Sequence, residues 1–391
     1  MTAKQSRLLV IHWFPLEQFP PAQNLLHVCS ERPDLTTTAV TTTGTAAWRF
    51  AAPGVAIHRS RFPVRGQWQI CRLLQFLAFP LLCLLRAVLL RPQTLLYYEP
   101  HSAPAAMLVM LLFPRTKLCI HCHEYRQLQH FRDRGNALPR LGFWLERRFL
   151  FRRAAWISHT NPERCELFLR DCPEVSRAVV KALPNLPPLA WCQAAQSCDA
   201  QTTPPIRLIY VGAVSLHDTY IAEIFDWLNT LPPKQVTLDL YISNCDDKTS
   251  AFLQESKVAG VSIHLGGLPY ADLPRVLATC HLGLIIYKCT TVNYVYNAPN
   301  KLFEYLACGL NVLYPEQMLG VQPWIDAVRP QSVIPVRFTD LATLKPQQLP
   351  LPGPLCRPWP WSCENIYRPF LDDVLAFSPR DSARKSELSE K

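Results

Sequence analysis

The chain has 391 residues, 49% apolar and 18% charged, and a formal net charge of +10. At roughly 100–200 residues per domain it makes two or three domains, each large enough to bury its own core, so a miniature disulfide-built fold is excluded. The positive balance favours anionic partners: nucleotides, acidic membrane surfaces or nucleic acid.

The opening "MTAKQSRLLVIHWFP" has an apolar run too short for a secretory core of about 7–15 residues. The 15 cysteines are then expected as free thiols in a reducing, cytoplasmic compartment. Apolar runs at 7–12, 35–41, 55–59, 94–98, 117–121 and 155–158 predict strands, with helical patterns between several of them, as at 104–113 and 139–153. The stretch 70–90 is the most apolar, but Arg72, Gln75, Pro80 and Arg86 interrupt it. A spanning helix needs about 20 clean apolar residues. It reads as a buried or interfacial helix, with a short membrane anchor as the alternative.

Residues 184–205 are rich in Pro, Gln, Ser and Thr and break the rhythm, which puts an interdomain linker at 186–205. Strands follow at 206–212, 237–243, 261–267 and 282–287, with a helix around 270–280. Strands alternating with helices imply parallel sheets covered on both faces. The expectation is α/β: two doubly wound, Rossmann-like domains, 1–185 and 206–350, a last helical segment at 351–377, and a disordered polar tail at 378–391.

The segment "YNAPNKLFEYLACGLNVLYP" (296–315) carries the clearest chemistry. Pro299 suits a first helical position and Gly309 a helix stop. Leu302, Phe303 and Leu306 then share the face that packs on the sheet. Asn300 and Glu304 lie on the other side, one turn apart, beside the small Ala307. Ligands of open α/β sheets sit beyond the carboxyl ends of the strands, and a helix start there suits phosphate. A carboxylate one turn in suits the vicinal diol of a ribose, so the pair describes a nucleoside diphosphate. The plain alternative is a surface pair of Lys301 and Glu304 worth about 0.2–0.5 kcal/mol.

"NAPNKLFEYLACGLNV" (297–312) resembles the donor-site signature of GT-B glycosyltransferases, in particular the family 4-like group. "LIYVGAV" (208–214) is similar to the strand and glycine turn that open the donor domain. "VSIHLGGLPYADLPRVLATCHLGLIIY" (261–287) looks like the segment leading to the donor loop, and "WSCENIYRPFL" (361–371) like the late helix crossing back to the first domain. The resemblance implies two Rossmann-like domains facing a cleft, and retaining transfer of a sugar from a nucleoside diphosphate sugar, without a metal or other cofactor. It implies ribose binding by Glu304 and phosphate or sugar contacts by Asn300 and Lys301. Gly212 would allow close approach of the donor, and Gly266 and Lys288 are placed with the donor-binding residues. Two departures stand out. Tyr296 occupies the place of an earlier family glutamate, and "GAVSLHDTYIAE" offers only His217 where the family carries an Arg and a Lys.

On the first half, "KLCIHCHEYRQL" (117–128) matches a family strand whose terminal histidine lies near the transferred sugar. His123 is the best match as a catalytic residue, with Glu124 beside it on the acceptor side and His121 as runner-up. The alternative is a histidine that only caps a strand end. Residues 119–123 also spell C-x-x-C-H, but covalent haem needs export, and Cys119 and Cys122 on a strand diverge too far to share a zinc. "FPPAQNLLHVC" (19–29) offers Asn24 as an acceptor contact.

Segment 126–153 interleaves eight arginines with Phe143, Trp144, Phe149 and Phe151. That suits an anionic membrane surface, such as the inner face of a membrane carrying lipid-linked acceptors, or else an ordinary solvated face. Nucleic acid is the poorer fit, since no recognition motif accompanies the charge. The reading is a cytoplasmic hexosyltransferase-type enzyme acting on a saccharide or lipid-linked acceptor in polysaccharide or glycoconjugate biosynthesis. Its rivals are a nucleotide-sugar epimerase and a non-catalytic partner that keeps the fold.

Overall fold

The computed structural model describes residues 5–44, 48–61, 69–127, 137–195, 205–325, 330–351 and 359–376. The tail expected at 378–391 lies outside them, as do Arg132 and Arg134 of the arginine-rich segment. The chain divides into two compact units, residues 1–184 with 363–391, and residues 185–362.

Unit 1 runs β1 (Ser6–His12), α1 (Pro20–Ser30), β2 (Leu35–Thr43), β3 (Val55–Arg61), α2 (Gln69–Leu90), β4 (Thr94–Tyr98), α3 (Glu99–Leu112), β5 (Lys117–Cys122), α4 (Ala137–Leu145), β6 (Ala154–His159), α5 (Pro162–Asp171) and β7 (Val180–Ala182). Its sheet is parallel, in the order β3-β2-β1-β4-β5-β6-β7. In β1 the side chains alternate between two cores. Leu9 and Ile11 meet Phe79 of α2 and Val109 of α3, and Leu8 and Val10 meet Leu25 and Leu26 of α1. Burial on both faces is why these strands read as apolar runs.

The second core is completed by the last helix, Cys363–Ala376, through Phe370 and Leu371. Polar contacts pin that helix. The Tyr367 hydroxyl donates to the Pro21 carbonyl at 3.1 Å, Lys117 Nζ to the Asp373 and Val374 carbonyls at 2.9 and 3.0 Å, and Arg32 pairs with Asp372 at 2.6 Å. The helix expected over 139–153 is α4 followed by a π-helical turn, Glu146–Leu150, and a 3-10 turn, Phe151–Arg153.

Unit 2 runs α6 (Leu189–Ala195), β8 (Ile206–Val214), α7 (Ile221–Thr230), β9 (Val236–Cys245), α8 (Asp247–Glu255), β10 (Val261–Leu265), α9 (Leu273–Leu277), β11 (Leu282–Leu284), α10 (Val292–Val295), α11 (Asn300–Ala307), β12 (Asn311–Pro315) and β13 (Val333–Val336). The last helix of the chain is α12. The unit 2 sheet is parallel, in the order β10-β9-β8-β11-β12-β13.

Several expectations change. The linker placed at 186–205 contains α6, whose Trp191 packs on Tyr270 with ring centres 4.7 Å apart, and residues 196–204 lie outside the described residues. The strand expected at 282–287 pairs only over Leu282–Leu284. Among the described residues of the segment 351–377 the helix is Cys363–Ala376, and Trp359 and Trp361 before it belong to unit 2.

Candidate functional site

Each sheet reverses its strand order once. The reversal falls between β1 and β4 in unit 1 and between β8 and β11 in unit 2. The carboxyl ends of the strands flanking such a point form the crevice where doubly wound sheets bind ligands.

In unit 2 that place is filled by one ammonium group. Lys301, in the first turn of α11, is 7% exposed. Its Nζ donates to the Tyr287 hydroxyl at 2.8 Å and lies 4.7 Å from the ring centres of both Tyr210 and Tyr287. Two electron-rich faces hold the cation where water is scarce. Tyr210 is near the end of β8 and Tyr287 follows β11, so the charge sits at the reversal point. Gly212, at φ +144°, leaves room for it: a Cβ there would lie 2.9 Å from Nζ.

Glu304, one turn further, is 6% exposed. Burial raises its pKa to about 7, against the opposing pull of Lys301 and of a hydrogen bond from the Tyr270 side chain. Both Lys301 and Glu304 are buried, so an exposed surface pair is excluded. All residues from Lys301 to Ala307 are buried, so the expected solvent-facing side of α11 is enclosed. Pro299 caps the helix in an extended conformation instead of forming its first helical residue, and no side chain caps that end. Tyr305 fixes the helix to both central strands. Its hydroxyl accepts from the Val211 N–H at 3.1 Å, and its ring covers Gly283, where a Cβ would come within 2.1 Å.

The remaining unit 2 residues are placed as follows. Asn300 is half-buried at the start of α11. Lys288 is tied to Glu223 at 2.8 Å and to the Leu216 carbonyl at 3.2 Å, so its charge is matched away from Lys301. Gly266, at φ +93°, ends β10 with open space around it. His217 is 83% exposed and bonded to Asp218 at 2.8 Å. Tyr296 closes α10, a short helix in the loop before α11, and Tyr294 of that helix stacks on Tyr287 at 5.0 Å.

In unit 1 the reversal point gathers histidines. His12 ends β1, and His121 and His123 come from the end of β5. The His123 ring stacks on Tyr98 at 4.9 Å and lies 4.8 Å from His121 and 5.9 Å from His12. His159 ends β6 and His101 stands in the first turn of α3. Burial lowers the pKa of His12 to about 4 and those of His101, His121 and His159 to about 3, and pushes His123 well below the ordinary range. All five are neutral at pH 7. Among the described residues, both ring nitrogens of His123 and of His159, and Nε2 of His12 and of His121, are buried and meet no hydrogen-bond partner. Neutral imidazoles with open nitrogens suit uncharged hydroxyls, such as those of a sugar.

Glu99 builds this cluster. It has a positive φ of 63°, unusual for a glutamate. Its Oε1 accepts from the backbone N–H groups of His123 at 2.7 Å and Glu124 at 3.2 Å, and its Oε2 lies 3.6 Å from Arg126. Buried Arg164 donates to the His123 carbonyl at 2.8 Å. The Glu124 side chain points to solvent, and Asn24 is buried inside α1. Cys119 and Cys122 belong to cores on opposite faces of the sheet, as strand alternation requires. Among the described residues no group of three metal-ligating side chains could hold an ion.

Sequence reasoning singled out Lys301, Glu304, Gly212 and His123, but not Tyr210, Tyr287 and Glu99, which the structure packs against them. A tyrosine at the carboxyl end of each strand beside the reversal was the available signal.

No protein-family model matches the chain, and no curated protein matches it in sequence. Solved structures do match in fold. An α,α-trehalose 6-phosphate synthase from Burkholderia multivorans superimposes with a TM-score of 0.60 at 12% identity, covering 99% of each chain. HepE from Anabaena, in complex with UDP, gives 0.56 at 12% identity, covering 98% of this chain and 100% of its own. A UDP-GlcNAc 2-epimerase from Neisseria meningitidis, bound to UDP-GlcNAc, gives 0.55 at 10% identity over 95% of this chain and 100% of its own. With two parallel, doubly wound units matched over nearly their whole length, the chain has the GT-B fold.

Proposed function

We propose that this chain is a glycosyltransferase. It moves a sugar, with retention, from a nucleoside diphosphate sugar to a saccharide or lipid-linked saccharide acceptor in polysaccharide or glycoconjugate biosynthesis. The observation that carries the reading is the buried Lys301 ammonium beside Gly212 at the unit 2 reversal point, with Glu304 one turn on. A diphosphate against Lys301 and the start of α11 would leave its ribose for Glu304, and Asn300 would contact the phosphate or sugar. In the reaction the bond from the sugar C1 to the phosphate oxygen breaks and a bond from C1 to the acceptor oxygen forms. The acceptor proton leaves with the departing phosphate. Lys301 stabilises the negative charge that grows on that phosphate. The reading needs no metal.

His123, held neutral by burial, would hydrogen-bond a sugar hydroxyl rather than carry a proton. Docking of segment 126–153 on an anionic membrane surface belongs to the same reading.

The test is thermal unfolding with a panel of nucleoside diphosphates, on wild type and Glu304→Ala. Ligand at 100 times its dissociation constant stabilises by about 2.7 kcal/mol. One base should raise the midpoint by several degrees, and the rise should shrink in the variant. No shift with any nucleotide would remove the donor site and favour a non-catalytic protein of this fold. The epimerase relatives in fold motivate a second reading, and incubation with donor alone separates the two. An epimerase converts the sugar without acceptor, and a transferase requires one.

A further inference from the structure

Helices α2, α3 and α4 lie side by side in one layer over the sheet of unit 1. A surface helix in such a layer normally turns polar residues outward. α8 of unit 2 does so, exposing Asp247, Lys248, Gln254 and Glu255. α2 does the opposite. From 74 to 90 every exposed residue is apolar: Leu74, Leu77, Ala78, Leu81, Leu85, Val88 and Leu89. At 100° per residue they fill one stripe about 120° wide, opposite buried Phe79, Cys83 and Ala87. Leu81 is 61% exposed and Leu89 66%. The exposed residues of α3 are Leu108, Leu111 and Leu112. Among the described residues, twelve of the fifteen exposed large apolar side chains belong to this one layer, from α2 to the turn after α4.

The charge around the stripe is mostly positive, with Glu174 paired to Arg147 at 3.1 Å. From 138 to 153 the exposed residues are Arg140, Leu141, Trp144, Arg148, Phe149, Arg152 and Arg153, with no carboxylate among them. Glu146, the one acidic residue there, is buried and accepts from the Tyr97 hydroxyl at 3.0 Å. A shallow depression of about 370 Å³ opens between Arg140, Phe143, Trp144, Arg147, Arg148 and Glu174. Arg91 and Arg115 are exposed just beyond α2 and α3. The next helix of the layer, α5, returns to ordinary polarity with an exposed Glu166–Arg177 pair. Among the described residues no helix is long and apolar enough to cross a membrane.

We propose that the outer side of α2, α3 and α4 is a docking platform for an anionic phospholipid bilayer. α2 lies flat in the interface, its leucine stripe reaching the acyl boundary along about 23 Å, and the arginines meet lipid phosphates. A protein partner would bury the leucines equally well. The arginine-rich rim, whose carboxylate Glu174 is already paired with Arg147 at 3.1 Å, is what selects a phosphate-covered surface. This differs from docking through the arginine-rich segment alone, because apolar insertion by α2 supplies the binding and the arginines supply lipid choice. Vesicle binding and nucleotide binding can fail independently.

The experiment is flotation of the full chain with vesicles of phosphatidylcholine, with and without one quarter phosphatidylglycerol. Wild type should float with the anionic vesicles and weakly with the neutral ones. Leu81→Glu with Leu85→Glu should cut partition on the order of a hundredfold. Each of Arg148→Gln, Arg152→Gln and Arg153→Gln should cut it about fivefold on anionic vesicles alone. Leu111→Glu, on the neighbouring helix, repeats the test should the α2 variant misfold. Absence of wild-type flotation, or flotation untouched by the leucine variants, overturns the proposal. Sedimentation without lipid decides the rival occupant. A wild-type dimer that the leucine variants dissolve, with no vesicle binding, would make the platform an interface between two copies.

Discussion

Glu304 gives the donor reading a pH signature. Its burial holds the carboxyl at a pKa of about 7. About one tenth is ionised at pH 6 and about nine tenths at pH 8. Two ribose hydroxyls donate to a carboxylate, and a carboxylic acid can accept from only one while keeping its own proton. Apparent affinity then follows the ionised fraction and rises about tenfold, or about 1.4 kcal/mol, from pH 6 to pH 8. The perturbation is Glu304→Gln, which keeps the shape and removes the titration. It should bind about 10–100-fold more weakly at pH 8, for the loss of hydrogen bonds to a charged acceptor worth about 1.5–3 kcal/mol, and show no slope. Calorimetric titration with an intact nucleoside diphosphate sugar is the assay, because its phosphates do not ionise in this range. The same group should cost stability in the opposite sense. A carboxyl raised from 4.5 to about 7 in the folded state contributes stability that is full below about pH 4.5 and is lost as pH rises from there through 7. A flat wild-type affinity from pH 6 to 8, or a glutamine variant with the wild-type slope, refutes the assignment of Glu304 to the ribose.

Lys301→Met should weaken nucleoside diphosphate binding by about 10–100-fold and also lower the ligand-free midpoint, since it leaves buried Glu304 without its cation and the Tyr287 hydroxyl without its donor; parallel melting and titration check both halves. Glu99→Ala should destabilise by about 2–5 kcal/mol in urea unfolding, because it orphans the N–H groups of His123 and Glu124, and Glu99→Gln should recover most of the loss. In unit 1 five histidines are held neutral, so the unfolded chain binds more protons below pH 6.5. Glu99 and Glu146, raised to about 7 and about 8, act the other way. The net of about three protons predicts a loss of about 4 kcal/mol per pH unit below 6.5, read from hydrogen exchange of the β1 and β5 amides; protection unchanged at pH 5.5 contradicts it. Gly142→Ala should destabilise unit 1 by about 1–3 kcal/mol or more, because a Cβ there would lie 1.7 Å from the Pro100 carbonyl oxygen where α4 crosses α3; thermal melts decide.

Much of the architecture was legible because parallel strands buried on both faces leave unbroken apolar runs. Thr94–Tyr98 emerged with its observed bounds, and β1, β2, β3, β5 and β6 differ from the predicted strands only at their ends. What escaped was short or one-sided. β7 has three residues, of which only Val180 is buried, and α10 spans a single turn. α6 hid in a stretch whose prolines and polar residues read as linker. In the site, periodicity located α11 but left Glu304 on an open face, because the tyrosines packed around Lys301 and Glu304 come from other elements: Tyr210 from β8, Tyr270 from the turn before α9 and Tyr287 from the segment after β11. Glu99 was invisible for a different reason. Its role lies in a backbone twist after β4 that brings its carboxylate to the turn after β5, and neither propensity nor pattern encodes that reach.

The return of α12 to unit 1 makes unit 2 an insertion within unit 1, and this orders events during synthesis. Residues 185–362 are contiguous and can close as soon as they leave the ribosome. Unit 1, although begun first, keeps Leu25, Leu26 and Val10 uncovered until Phe370 and Leu371 arrive. At about 5–20 residues per second that wait lasts on the order of ten to forty seconds, so the half translated first is the half finished last. A chain stopped before Cys363 would carry a sound unit 2 and a unit 1 with one bare face, and a peptide spanning Cys363–Ala376 added in trans should be drawn to it.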